Sequence, residues 1–279
     1  MRWSQRLTTL LSSVERVAVM DVGLGILMFV VGLGVGTVSG LLGIGGGIIA
    51  VPLLLYVPPA LGFAAFGMKA VAGITTVQSF AGAVSGAFGH TRHRRVHPEL
   101  ALYLGIPMAL ACLVGSRLST HVSEDMMLLV FAAMAFVASA MMLLPKREAE
   151  LEETLEDVRF SRALAIVIGA GIGSLSGIIG QGGAFLYVPA MLYILSIPTR
   201  ITIGSALAIG ILSAGAVLMG RLGTAQIPWF EAGLVVLGVI LGSQAGTALS
   251  QRTPRVFLRR ALAVVILGTA VKIAMSVAP

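Results

Sequence analysis

The chain has 279 residues, 57% of them hydrophobic and 11% charged, with a net charge of +7. Long uninterrupted apolar runs leave too little polar surface for a water-soluble fold, and their lack of two-residue alternation excludes a β-barrel. Lys and Arg gather in short loops, so the positive charge reads as membrane topology and not as nucleic-acid binding. Cys112 is the single cysteine and sits in an apolar run, which excludes a disulfide framework and a thiol metal site.

Residues 1–20 form an N-terminal segment with Arg2, Arg6, Glu15 and Arg16 before the first apolar run. Leu7, Leu10, Leu11 and Val14 share one helical face, as in a helix lying on a membrane surface. Ten apolar segments follow, at 21–43, 47–62, 67–89, 99–119, 126–144, 162–180, 183–197, 202–221, 229–250 and 256–277. Eight approach the roughly 20 residues of a full crossing. The second and seventh are shorter and contain Pro52, Pro58 and Pro59, or Pro189 and Pro198. They read as re-entrant or broken helices.

The expected fold is therefore an all-α polytopic membrane protein. It has eight full transmembrane helices plus two short segments, in two homologous halves at 21–145 and 162–279. Residues 146–161 form an acidic cytoplasmic linker. Lys146–Arg162 holds six of the twelve acidic residues, so it lies outside the hydrocarbon. Ten crossings with inverted repeats are the alternative. Each topology places twelve of the nineteen Lys and Arg on the cytoplasmic side, so charge does not choose between them.

The halves declare themselves in a repeat. Gly34–Pro52 reads GVGTVSGLLGIGGGIIAVP, with glycine at seven of nineteen positions, and Gly171–Pro189 reads GIGSLSGIIGQGGAFLYVP. At an offset of 137 (Gly36 to Gly173), Ser39, Gly40, Gly43, Gly45, Gly46, Val51 and Pro52 fall on Ser176, Gly177, Gly180, Gly182, Gly183, Val188 and Pro189. Glycine lets the backbone leave helical geometry, but exposed backbone in lipid is costly unless protein or a water-filled cavity receives it. A helix restarting at such a break offers free N–H groups and the positive end of its dipole, which suits an anion. Gly45, Gly46 and Gly47 lead into one helix, and Gln181, Gly182 and Gly183 into the other. These six are the expected substrate contacts. Gly36, Gly40 and Gly43 also fit small-residue helix packing. A dinucleotide fingerprint fails, because no strand precedes the glycines and no acidic residue follows at the required distance.

The two stretches GLLGIGGGIIAVPLL and GIIGQGGAFLYVPAML, with a polar-dotted helix after each, resemble the paired signature of the TauE/SafE family, also called the sulfite exporter or 4-toluene sulfonate uptake permease family. The resemblance covers essentially the whole chain. It implies a secondary transporter of small sulfur-containing anions such as sulfite or sulfoacetate, in the cell membrane of a prokaryote. Ile44 against Gln181 breaks the internal symmetry and suggests that Gln181 contacts substrate.

Further polar residues at membrane depth are Thr75, Thr76 and Gln78, expected to line the cavity, and Ser213 after the second break. Glu231 and Lys69 are the coupling candidates, each near a helix start. No nucleophile–base pair or metal cluster is visible at membrane depth, so neither an enzyme nor a metal site is expected, and no cofactor. The expected partners are a small anion and the lipid bilayer, with no nucleic acid; a homo-oligomer is compatible with the sequence. A channel or permease for another small anion, or for a metal cation, is the alternative function.

Overall fold

A computed structural model describes residues 22–41, 47–89, 96–143, 158, 160–250 and 268. The N-terminal segment, most of the acidic linker, Gly45, Gly46 and nearly all of the 256–277 segment lie outside them. Among the described residues there are nine helices and no strand. They are α1 (Val22–Leu41), α2 (Gly47–Ala60), α3 (Met68–Gly89), α4 (Pro98–Leu118), α5 (Glu124–Leu143), α6 (Arg162–Ile179), α7 (Ala184–Ile194), α8 (Thr199–Arg221) and α9 (Trp229–Ser250).

Six of these, α1, α4, α5, α6, α8 and α9, are long and apolar enough to cross a membrane. The expectation was eight. Helix α3 has 22 residues, but Lys69, Thr75, Thr76, Gln78 and Ser79 make it too polar to count by composition. Its polar residues face protein: Val71, Ala72, Ile74, Thr75, Thr76, Gln78 and Ser79 are buried, while residues 80–85 are half-buried. The eighth expected crossing, 256–277, lies outside the described residues. The short segments α2 and α7 fall where the glycine-proline pattern places them.

Lipid-facing ridges are evident on the outer helices. On α4 the exposed side chains Leu102, Ile106, Leu110, Val114 and Leu118 recur every fourth residue and form one continuous apolar stripe. Val22, Ile26 and Val30 do the same on α1. A stripe of this kind would aggregate in water and is at home in hydrocarbon.

Helix ends are satisfied locally. Ser161 caps α6 at the Leu164 N–H, and His97 Nδ1 caps α4 at the Leu100 N–H. The Glu124 carboxylate reaches across from α5 to accept from the Met68 N–H at 2.8 Å, capping the start of α3 from another helix. Arg162 pairs with Glu99 at 2.8 Å and lies 5.0 Å over the Tyr103 ring, fixing the start of α6 against α4.

Two helix crossings are built on glycine. Along α6, Gly169, Gly173 and Gly177 rest against the carbonyls of Leu104, Met108 and Cys112 of α4. Along α1, Gly32 and Gly36 rest against the carbonyls of Val235 and Val239 of α9. A Cβ at any of these positions would collide with backbone, so only glycine permits the approach. Cys112 is a buried packing residue here.

Candidate functional site

The site begins where α6 stops. Gly180 takes a left-handed φ of 84° and its N–H returns to the Ser176 carbonyl, a standard way to end a helix. Gly183 is also left-handed, with φ 73°, and starts α7 without any side-chain cap. Between them runs Gly180-Gln181-Gly182-Gly183, a non-helical break that is buried throughout. Among the described residues, no acceptor takes the N–H groups of Ala184 and Phe185. The start of α7 is thus an uncapped, partly positive helix end inside the protein.

Four polar side chains gather on this break. The Gln181 Nε2 donates to the Gly47 carbonyl at 2.9 Å, which joins the second break to the first residue of α2. The Thr76 hydroxyl lies 3.0 Å from the Gly180 carbonyl and 2.7 Å from that of Ala72, and the Thr75 hydroxyl lies 3.4 Å from the Gly180 carbonyl. Ser213 of α8 donates to the Gly182 carbonyl at 2.8 Å. All four side chains are buried. Each hydroxyl proton is directed at a backbone carbonyl: Ser213 satisfies Gly182 of the break, whereas Thr75 and Thr76 lie closest to the Val71 and Ala72 carbonyls of their own helix, with the Gly180 carbonyl as a second, longer contact. Their lone pairs, not their protons, are left for anything else.

Among the described residues, other buried polar atoms have no partner: Gln181 Oε1, both amide atoms of Gln78, Ser176 Oγ and Arg221 Nε. Ser176 Oγ lies directly against Gly183, where an added Cβ would collide with it. Gln78 follows Thr75 by three positions and so shares its face of α3.

The residues singled out by sequence thus divide. Gly47, Gln181, Gly182, Gly183, Thr75, Thr76 and Ser213 are joined by the contacts above. Lys69 lies apart: its Nζ donates to the Thr120 carbonyl at 3.1 Å, on an exposed surface. Glu231 is half-buried in the first turn of α9 and is bonded to none of the break residues.

Sequence reasoning missed two residues. Arg221, at the end of α8, is fully buried and donates to the Gly177 and Ile178 carbonyls at the end of α6 and to Gln226. A basic residue ending an apolar helix ordinarily points to water; here the Leu222–Pro228 turn carries Gln226 over it. Tyr187 of α7 is fully buried and its hydroxyl donates to the Ala206 carbonyl of α8 at 2.7 Å. Gly210 makes room for that hydroxyl, and a glycine one turn beyond a carbonyl was the only signal available.

Apolar outer ridges, a helix with buried polar residues and a glycine break closed by protein define a multi-pass helical membrane protein. The family model described as "Sulfite exporter TauE/SafE" matches residues 28–273. The chain belongs to that family. It is 31% identical over 245 residues to a probable membrane transporter protein of Xylella fastidiosa strain Temecula1, covering 85% of this chain and 90% of the relative. It is 22% identical over 242 residues to the probable membrane transporter protein YunE of Bacillus subtilis strain 168, covering 81% and 89%. No solved structure matches the chain. The protein is a membrane transporter of the cell membrane, and its relatives are named as transporters, not as enzymes.

Proposed function

We propose that this chain is a secondary transporter of small sulfur-containing anions, sulfite or organosulfonates such as sulfoacetate. It would work by alternating access around a midplane site where the two glycine-rich breaks meet. The observation that carries the reading is the Gln181–Gly47 hydrogen bond beside the uncapped start of α7. It supports the reading because it brings the two glycine-rich stretches together beside a helix start that has no side-chain cap.

Charge favours an anion over a cation. Among the described residues no Asp or Glu is buried, whereas Arg221 is buried within one turn of the break. A cation pathway at this depth would need carboxylates or comparable ligands.

The layout proposed is two repeats with eight crossings, α3 and 256–277 included, plus α2 and α7 as short segments. Two glycine crossings support it: Gly32 and Gly36 stand 137 residues before Gly169 and Gly173, and they meet Val235 and Val239 where the latter meet Leu104 and Met108. Each half's first helix would therefore pack on the other half's fourth. The Gly34–Pro52 and Gly171–Pro189 breaks would then come together at the centre.

The test is flux of radiolabelled sulfite into proteoliposomes. A carrier gives saturable uptake, competition by sulfoacetate or taurine, and counterflow from preloaded vesicles. Conductance without saturation or counterflow would point to a channel instead.

A further inference from the structure

The turn that joins α8 to α9 sits where several helices end. Gly223 gives it a left-handed φ of 81°, and the N–H and hydroxyl of Thr224 both return to the Arg221 carbonyl. Leu222, Gly223 and Ala225 are exposed, whereas Ile227 is buried and Gln226 half-buried, so the turn has an outer side and a protein-facing inner side. Gln226 meets three helices. Its Oε1 accepts from Arg221 Nη1 of α8 and, at 3.1 Å, from the Ser119 hydroxyl just beyond α4. Its backbone carbonyl rests against Gly73 of α3, where an added Cβ would collide with it. Arg221 Nη2 in turn reaches the Ile178 carbonyl at 2.7 Å, at the end of α6.

This cluster lies beside the second break. Gly180 rests against the Ala72 carbonyl, so the break and the turn occupy neighbouring residues of α3. Ile178 stands two residues before Gly180 on the other side. The turn therefore covers the break from the end of the molecule where α4 and α8 stop. Polar contacts hold it there. An apolar plug opens only by exposing hydrocarbon to water, whereas hydrogen bonds are exchanged for water at small net loss. The closed arrangement is also incomplete, because Arg221 Nε is buried without a partner among the described residues. Water admitted on opening would satisfy it. That brings open and closed arrangements closer in energy, as an element with two populated states requires.

Resting on the carrier reading, we propose that the turn 222–228 is a gate over the second break. The contacts among Arg221, Gln226 and Ser119 are its latch, and their release is a step of the transport cycle. Arg221 and Gln226 are then positioning residues, which set when the break is open and do not touch the transported anion.

The reporters are Ser213→Cys and, separately, Thr75→Cys, both at residues that contact the break, in a full chain whose native thiol is removed by Cys112→Ala. Labelling by a water-soluble maleimide is timed in nanodiscs, which needs no transported ligand. Gln226→Ala and Ser119→Ala should each raise the rate about fivefold or more, the worth of one lost hydrogen bond in the latch. Gln226→Glu sets a carboxylate against Arg221 and keeps an acceptor for Ser119. It should slow labelling about fivefold, raise the unfolding midpoint and lower kcat for sulfite uptake into proteoliposomes. A merely structural residue would not couple higher stability to slower turnover. Arg162→Ala, which breaks the ion pair with Glu99 at the opposite end of α4 and α6, should leave the labelling rate unchanged. Rates indifferent to the Gln226 and Ser119 substitutions at both reporters, or an equal rise with Arg162→Ala, overturn the gate and leave the anion reading standing. An unchanged kcat in Gln226→Glu despite slower labelling overturns its place in the transport cycle. The expected labelling pattern without sulfite uptake by the native chain contradicts the anion reading and leaves the gate standing.

Discussion

The Nε2 of Gln181 donates 2.9 Å to the carbonyl of Gly47, a residue 134 positions earlier in the chain. One residue belongs to the break that ends α6 and the other opens α2. Their contact ties the two glycine-rich stretches at a single buried point, and the Gln181 amide also presses on Gly47, where an added Cβ would come within 3.1 Å of it.

Gly183→Ala should be damaging for two separable reasons. Its φ of 73° is left-handed, and the new methyl would strike Ser176 Oγ. Together these should cost about 2–4 kcal/mol. Gly171→Ala is the control, because nothing lies within 4 Å of its added Cβ. Thermal unfolding of both variants in one detergent checks the difference. Equal midpoints would contradict the left-handed start of α7.

Gly177→Leu should fail more severely than Gly34→Leu. At Gly177 a side chain meets the Cys112 carbonyl and the Ser116 N–H, which are backbone and cannot turn aside, whereas Gly34 faces open space. We expect a loss of about 3 kcal/mol or more at Gly177, read as loss of monodisperse protein on gel filtration, and near-native behaviour at Gly34.

Arg221 sits where two effects compete. Burying a guanidinium costs several kcal/mol, but its hydrogen bonds hold the last carbonyls of α6, and removing it takes that donor from the Gly177 and Ile178 carbonyls at about 1–3 kcal/mol each, while Gln226 Oε1 keeps the Ser119 hydroxyl. The second effect should win. Arg221→Met should lower the unfolding midpoint, and Arg221→Lys should recover only part of the loss, because an ammonium cannot span Gly177, Ile178 and Gln226 as a planar fork does. Full recovery by lysine would show that charge alone matters there.

Thr76→Val should cost more than Thr76→Ser. Valine keeps the shape but removes a donor shared between the Ala72 and Gly180 carbonyls, at about 1–2 kcal/mol, while serine restores the hydroxyl. Transport by the serine variant should stay near native. Equal loss in both would mean that the methyl group matters and the bond to the break does not.

Much of this was legible in the sequence because it is written in glycine. Gly180–Gly183 break a helix and Pro189 follows, so the short α7 could be placed from composition alone. The apolar runs placed the outer helices for the same reason. The polar residues of α3 flagged a buried helix, yet not that Thr75, Thr76 and Ser213 would turn their protons to backbone carbonyls, since side-chain direction depends on how three helices cross. The burial of Arg221 was not legible, because it depends on the fold of the turn that follows it. The hydroxyl of Tyr187 found its acceptor in another helix, a pairing that no local pattern records.

The most direct test of the two-break site is uptake of radiolabelled sulfite by native and Gln181→Ala protein, reconstituted at equal folded yield. The account predicts saturable uptake by the native chain and a fall in kcat/KM of about tenfold or more in the variant, the cost of one lost hydrogen-bonding group at a buried site. Native uptake unchanged by the loss of the Gln181 amide would contradict a site at the meeting of Gly47 and Gln181.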